Sequence, residues 1–145
     1  WLKGNRVSRN QIMAIKEESV TDQKNSLTVC LDNILRHAGI TRNTEYDLAQ
    51  GKTAIQILEE NMTGVQVLDL SGCSLDAVLY YVNQDIPVLA ILEDGEAVLV
   101  TGFNEFNVVI MEPSTGKLYK KGMNDATAWF AENGNHFITY MRTEN

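Results

Sequence analysis

From Ser26 onward, apolar residues recur at spacings of three and four: Leu27, Cys30, Leu31, Ile34, Leu35 and Ala38. Positions so spaced stack on one side of an α-helix, so the pattern predicts an amphipathic helix with one buried face. Asn25 or Ser26 is the natural N-cap, because a short polar side chain there can accept a bond from an unpaired backbone N–H. Gly39 supplies the stop. A second helix is predicted from Lys52 to Asn61, through Ala54, Ile55 and Leu58, after a polar loop anchored by Tyr46 and Leu48. Residues 1–25 carry scattered apolar positions (Val7, Ile12, Ile15, Val20) without a period, and read as an N-terminal arm packed on a domain of residues 26–145.

The second half changes rhythm. Val65 to Leu68 reads as a short strand, and a helix carrying Leu75, Val78, Leu79 and Val82 follows, with Asp76 favourably placed in its first turn. After Pro87, three β-rich runs (Val88–Leu92, Ala97–Gly102, Asn107–Met111) are separated by segments with turn chemistry. Gly102, Gly116 and Gly122 read as turn glycines. Leu118 and Tyr119 predict a further strand, Asn124–Glu132 a short helix and Phe137–Met141 a last strand. Helices first and hairpin-linked strands later define an α+β class, with N-terminal helices packed on an antiparallel β-sheet in two layers.

Composition narrows what such a domain does. The 145 residues are 44% hydrophobic and 21% charged, ordinary for a globular chain, with a net charge of -7. Lys120 and Lys121 are the only adjacent basic pair, so there is no stripe for a phosphate backbone and no nucleic acid is expected as partner. No apolar run has the length of a membrane span, so no direct membrane insertion is expected. The chain opens at Trp1 without a signal peptide, and the expectation is a fragment of a longer protein. Cys30 and Cys73, with His37 and His136, lack metal-ligand spacing; neither metal nor cofactor is expected. Two buried free thiols are the expected state of the cysteines.

The segments Pro87-Val88-Leu89-Ala90, Gly95-Glu96-Ala97-Val98-Leu99-Val100-Thr101-Gly102-Phe103 and Val109-Ile110-Met111-Glu112-Pro113 together resemble the bacteriocin-processing peptidases, which cleave double-glycine leaders. Those papain-like cysteine peptidases carry Gly-His-Ala-Val-Leu-Val, a Gly-Tyr and then an Asp-Pro about sixteen residues after the histidine. Upstream they open a helix with Cys-Gly-Pro-Ala-x-Leu, which Ser26-Leu27-Thr28-Val29-Cys30-Leu31 resembles. The resemblance spans roughly residues 20–142 and implies the papain-like cysteine peptidase fold. It places Ser26 in the nucleophile slot, Glu96 in that of the general base and Glu112 in that of the orienting acid, 16 residues on. Gln23 stands near the oxyanion-hole glutamine of the family, at too short a spacing.

Those replacements remove the chemistry. A cysteine peptidase needs a thiolate paired with an imidazolium. A serine hydroxyl needs a strong base instead, and a glutamate of ordinary pKa near 4.3 is a poor one. The simplest reading makes Ser26 a helix cap, Glu96 an exposed turn residue and Glu112 a side chain bonding a turn amide before Pro113. A competing reading makes Glu96 a cleft carboxylate for a cationic or hydrogen-bonding ligand. Of Tyr80, Tyr81, Phe103, Phe106, Trp129 and Phe130, most are expected in the core, and at most one in a groove. His37 reads as a last-turn residue stabilising its helix.

Three functions remain open at this level. The first is a degenerate, non-catalytic peptidase-homology domain that binds a peptide or another domain of the parent protein, so the chain leans away from being an enzyme. The second is an active cysteine peptidase or amidase rebuilt around Cys30 or Cys73, for example with His136. The third is a purely structural module of a bacterial surface protein. An extracellular or cell-envelope location is implied by the resemblance alone.

Overall fold

A computed structural model describes residues 11–12 and 25–143. The arm expected over residues 1–25 lies outside these, apart from Asn25 and the pair Gln11–Ile12, as do Val7, Ile15, Val20 and Gln23. Gln11–Ile12 form β1, which pairs antiparallel with Gly102 and Phe103.

The predicted first helix is α1, Ser26–His37. Asn25 caps it, its Oδ1 accepting from the Leu27 N–H at 2.7 Å. Past the last turn Gly39 takes φ +88°, which lets its own N–H reach the Arg36 carbonyl and the Ile40 N–H reach that of Leu35. This double closure satisfies carbonyls that the helix itself leaves open. The second helix, α3 (Ala54–Asn61), opens on a capping box between Thr53 and Gln56. Between them the expected loop contains a short helix, α2 (Glu45–Ala49). Of the two expected anchors, Leu48 packs against the core while Tyr46 is 68% exposed; the further anchor is buried Asp47, held by Nε and one terminal nitrogen of the Arg42 guanidinium at 2.9–3.1 Å. Polar pinning of this kind leaves no apolar period to read in the sequence.

The strands follow as β2 (Val65–Asp69), β3 (Val88–Ile91), β4 (Ala97–Phe103), β5 (Asn107–Glu112), β6 (Lys117–Gly122) and β7 (Phe137–Arg142). They form one antiparallel sheet in the order β2-β7-β3-β4-β5-β6, with β1 on β4. The register between β4 and β5 shifts at Val100/Gly102. Gly102 is therefore a strand residue opposite Ile12 and not a turn glycine, while Gly122 ends β6 and caps the following helix.

Helices cover both faces, so the two-layer expectation is corrected to three. Leu89, Ala97, Leu99, Met111, Ile138 and Tyr140 face α1 and α3. Their strand neighbours Val88, Val98, Val100, Ile110 and Phe137 face α4 (Leu75–Val82) and α5 (Met123–Glu132). Burial on both faces explains why β4 is buried at every position and shows no in-out alternation in the sequence. No described helix is long and apolar enough to cross a membrane.

Candidate functional site

Ser26 is not the cap of α1 but its first residue, and its hydroxyl points away from the helix to accept the Ala97 N–H at 2.8 Å. The bond ties the N-terminus of α1 to the first residue of β4, 71 positions on. Ser26 is 8% exposed, so its oxygen is both engaged and covered.

Glu96, next to Ala97, is exposed, as expected of a turn residue. The turn that presents it is fixed by Asp94, whose Oδ1 accepts the Glu96 N–H at 2.9 Å, and by Gly95 at φ +89°. Glu112 ends β5, half-buried, and its Oε1 accepts from the Ser114 N–H at 3.3 Å and the Ser114 hydroxyl at 3.2 Å. The amide bond expected of a residue before Pro113 is thus present.

Both glutamates line one cleft of about 220 Å³, together with Asp94, Ala97, Tyr119 and Trp129. Ser26 reaches this cleft only through the backbone of Ala97. The three positions expected to correspond to a triad therefore gather at one end of the sheet, the carboxylates in the cleft and the serine behind it. Trp129 is the one aromatic of those weighed in the sequence that reaches the groove, and Lys121 sits 4.9 Å above its ring. Asp94 and Tyr119 were legible in the sequence as turn and strand residues but not as residues of the cleft. Asp94 had a signal, since it adjoins Glu96 in a turn; Tyr119 had none, because only strand pairing brings β6 beside β5.

Cys30 is fully buried against α3 and the sheet. Burial pushes its thiol well above the ordinary 9.0, and the negative charges of Glu112 and Glu96 push it further the same way. Such a sulfur stays protonated and is a poor nucleophile. Cys73 is also a free thiol but only half-buried, which corrects the expectation of two buried ones. His37 bonds the Asp85 carbonyl at 3.1 Å and approaches its carboxylate at 3.4 Å. His136 is exposed at the start of β7. Among the described residues, no hydrogen bond joins either thiol to either histidine. No group of three or more potential metal ligands occurs among them.

A crystal structure of a candidate C39-like peptidase from Bacillus anthracis matches this chain with a TM-score of 0.73, over 92% of this chain and 98% of that one, at 14% sequence identity. The fold is papain-like. By sequence alone, no family model and no curated protein matches the chain. At this identity the likeness extends to the scaffold, and the residues of the cleft have to be judged on their own chemistry. In this chain the entrance of α1 is joined to the first residue of β4 by the bond between the Ser26 hydroxyl and the Ala97 main-chain N–H.

Proposed function

We propose that this chain is a catalytically degenerate peptidase-homology domain whose cleft binds a peptide or partner segment through a basic side chain. The observation that carries the reading is the Ser26 hydroxyl, covered and bonded to the Ala97 amide; Glu96 and Glu112, which the sequence resemblance aligns with a base and its orienting acid, line the neighbouring cleft as carboxylates. A hydroxyl that accepts a main-chain N–H has less lone-pair density for attack, and no imidazole is bonded to it to take its proton. Cys30, the nearest thiol in sequence, is sealed in the core with its proton held on.

The cleft keeps features useful for recognition. Asp94, Glu96 and Glu112 supply negative charge, while Leu92, Val98, Pro113 and the faces of Tyr119 and Trp129 supply apolar wall. A lysine or arginine side chain matches that combination, since its stem packs on apolar surface while its head meets carboxylates and ring faces. The net charge of -7 adds long-range attraction for such a partner.

The test pairs an activity assay with a binding assay. Peptide libraries incubated with the wild-type chain and with Ser26→Ala are expected to show no turnover above buffer in either case. Turnover lost on Ser26→Ala would sink the degenerate reading. Short lysine- or arginine-containing peptides are expected to bind, about tenfold more weakly to Glu96→Gln and more weakly as salt rises. Peptides with norleucine in place of the basic residue serve as the control.

A further inference from the structure

A second cavity lies at the far end of α1 from Ser26, about 18 Å along a helix of twelve residues. The ends of α1 and α3 and the β2–β7 edge leave about 430 Å³ there, a volume in the usual range for small-molecule sites. Ala38, Ile40, Met62 and Val65 make its apolar wall, Tyr140 and Arg142 its polar one, and exposed Thr63 stands at the rim.

Among the described residues, Tyr140 and Arg142 both lack partners. Tyr140 is 1% exposed, rises from the sheet on the α1/α3 side, and its hydroxyl is buried with no hydrogen bond. A buried donor left unpaired is costly, so folded chains seldom keep one without a use. Arg142 lies two residues further along β7, hence on the same side of the strand, and is exposed with no ion pair among the described residues. Backbone groups at the rim are occupied: the Gly39 and Ile40 N–H groups close the end of α1, and the Met62 N–H bonds the Leu58 carbonyl. No carboxylate lines the cavity.

We infer that this cavity binds a small carboxylate with an apolar body. Its oxygens accept from the Tyr140 hydroxyl and the Arg142 guanidinium, and its hydrocarbon part lies against Ala38, Ile40, Met62 and Val65. An anion suits the site because the one charged side chain in its lining is a cation, and a planar guanidinium matches a carboxylate in geometry. Burial, with help from Asp85, holds the Tyr140 proton on, against the opposing pull of Arg142. The phenol is therefore a donor at neutral pH. The inference concerns a different end of the molecule from the cleft, and stands whether or not the cleft binds peptide.

The experiment is a titration of the isotope-labelled full chain, followed by amide NMR, with 4-methylpentanoate, its primary amide, and an acetylated dipeptide ending in a free leucine carboxylate. The acid or the dipeptide is expected to shift the amides of Ala38, Ile40, Gly64 and Val65, with the neutral amide at least about tenfold weaker. Binding of the dipeptide alone identifies the source as a chain terminus; binding of the acid alone identifies a free metabolite-sized acid. Tyr140→Phe and Arg142→Gln are each expected to weaken binding about tenfold or more. Tyr140→Phe should leave the unliganded thermal midpoint unchanged or raised, because it deletes a hydroxyl that had no partner, so a loss of binding is not a loss of fold. Equal affinity for acid and amide, shifts confined to other surfaces, or no response to acid or dipeptide at millimolar concentration would each overturn the inference.

Discussion

Removing the Ser26 hydroxyl strands the Ala97 amide at the junction of α1 and β4. An unmet buried donor costs about 1–3 kcal/mol, and Ser26→Ala should lower stability by that amount in urea denaturation, with an unchanged m-value. A helix-capping serine would give a similar number, so the distinguishing measurement is amide exchange. Loss of protection at Ala97, with α1 intact, is expected from the bond described here, whereas a lost cap would fray the first turn of α1. Ser26→Cys is informative for the opposite reason. A thiol at this position sits at a helix N-terminus, where a thiolate is favoured, yet no imidazole is bonded there to activate it.

At the scale of elements, the segment joining α1 to α3 is tied to α1 by a second buried carboxylate besides Asp47. Asp32, on α1, accepts both the N–H and the hydroxyl of Thr44 at 2.8 Å, with Asp32 7% and Thr44 0% exposed. Asp32→Ala leaves the Thr44 N–H without a partner and its hydroxyl with only the Thr28 carbonyl at 3.5 Å, and should cost about 2–4 kcal/mol; Thr44→Val removes only the hydroxyl bonds and should cost about 1 kcal/mol. Urea midpoints of the two variants check the ranking, and equal losses would mean that the amide bond contributes nothing. None of this was visible as pattern. Asp32 falls within an apolar helix face and reads as an interruption, while Arg42 and Asp47 look like ordinary surface charges in a polar stretch. Long-range polar pairing has no period, so reasoning from spacing passes over it.

For the whole molecule, the buried thiol couples folding to alkaline pH. Cys30 in the unfolded chain releases its proton near 9.0, whereas in the folded chain burial and the charges of Glu112 and Glu96 hold it to higher pH. Its folded pKa is raised, so its contribution is fully present below about pH 9 and is lost as pH rises beyond that point. The unfolded state then binds fewer protons than the folded one, and stability should fall by up to about 1.4 kcal/mol per pH unit from this group. Tyr140 and Tyr119, also raised by burial from 10.0, add to the slope about one unit higher. Denaturation midpoints from pH 8 to 10 are expected to fall for the wild type and to flatten for Cys30→Ala. That variant is less stable throughout because it opens a core cavity. An equal slope in both would remove Cys30 from the account.

The sequence by itself determined the order and kind of most elements. Apolar spacing near 3.6 and β-branched runs between turn residues are local signals, and each depends on a few neighbouring residues. The spacing of Glu96, Glu112 and Pro113 also carried the resemblance to a papain-like scaffold. What only the tertiary structure decided rests on groups that meet across long stretches of chain. The Ser26 hydroxyl bonds Ala97 in place of capping its own helix, because β4 brings an unpaired amide to the entrance of α1. Helices lie on both faces of the sheet, because strand residues of either parity are apolar and both faces have to be covered. Tyr140 and Arg142 share a cavity with the end of α1, because β7 crosses beneath it a hundred positions later in the chain. Spacing along a chain encodes which face a residue takes, but not which residue waits on the other side.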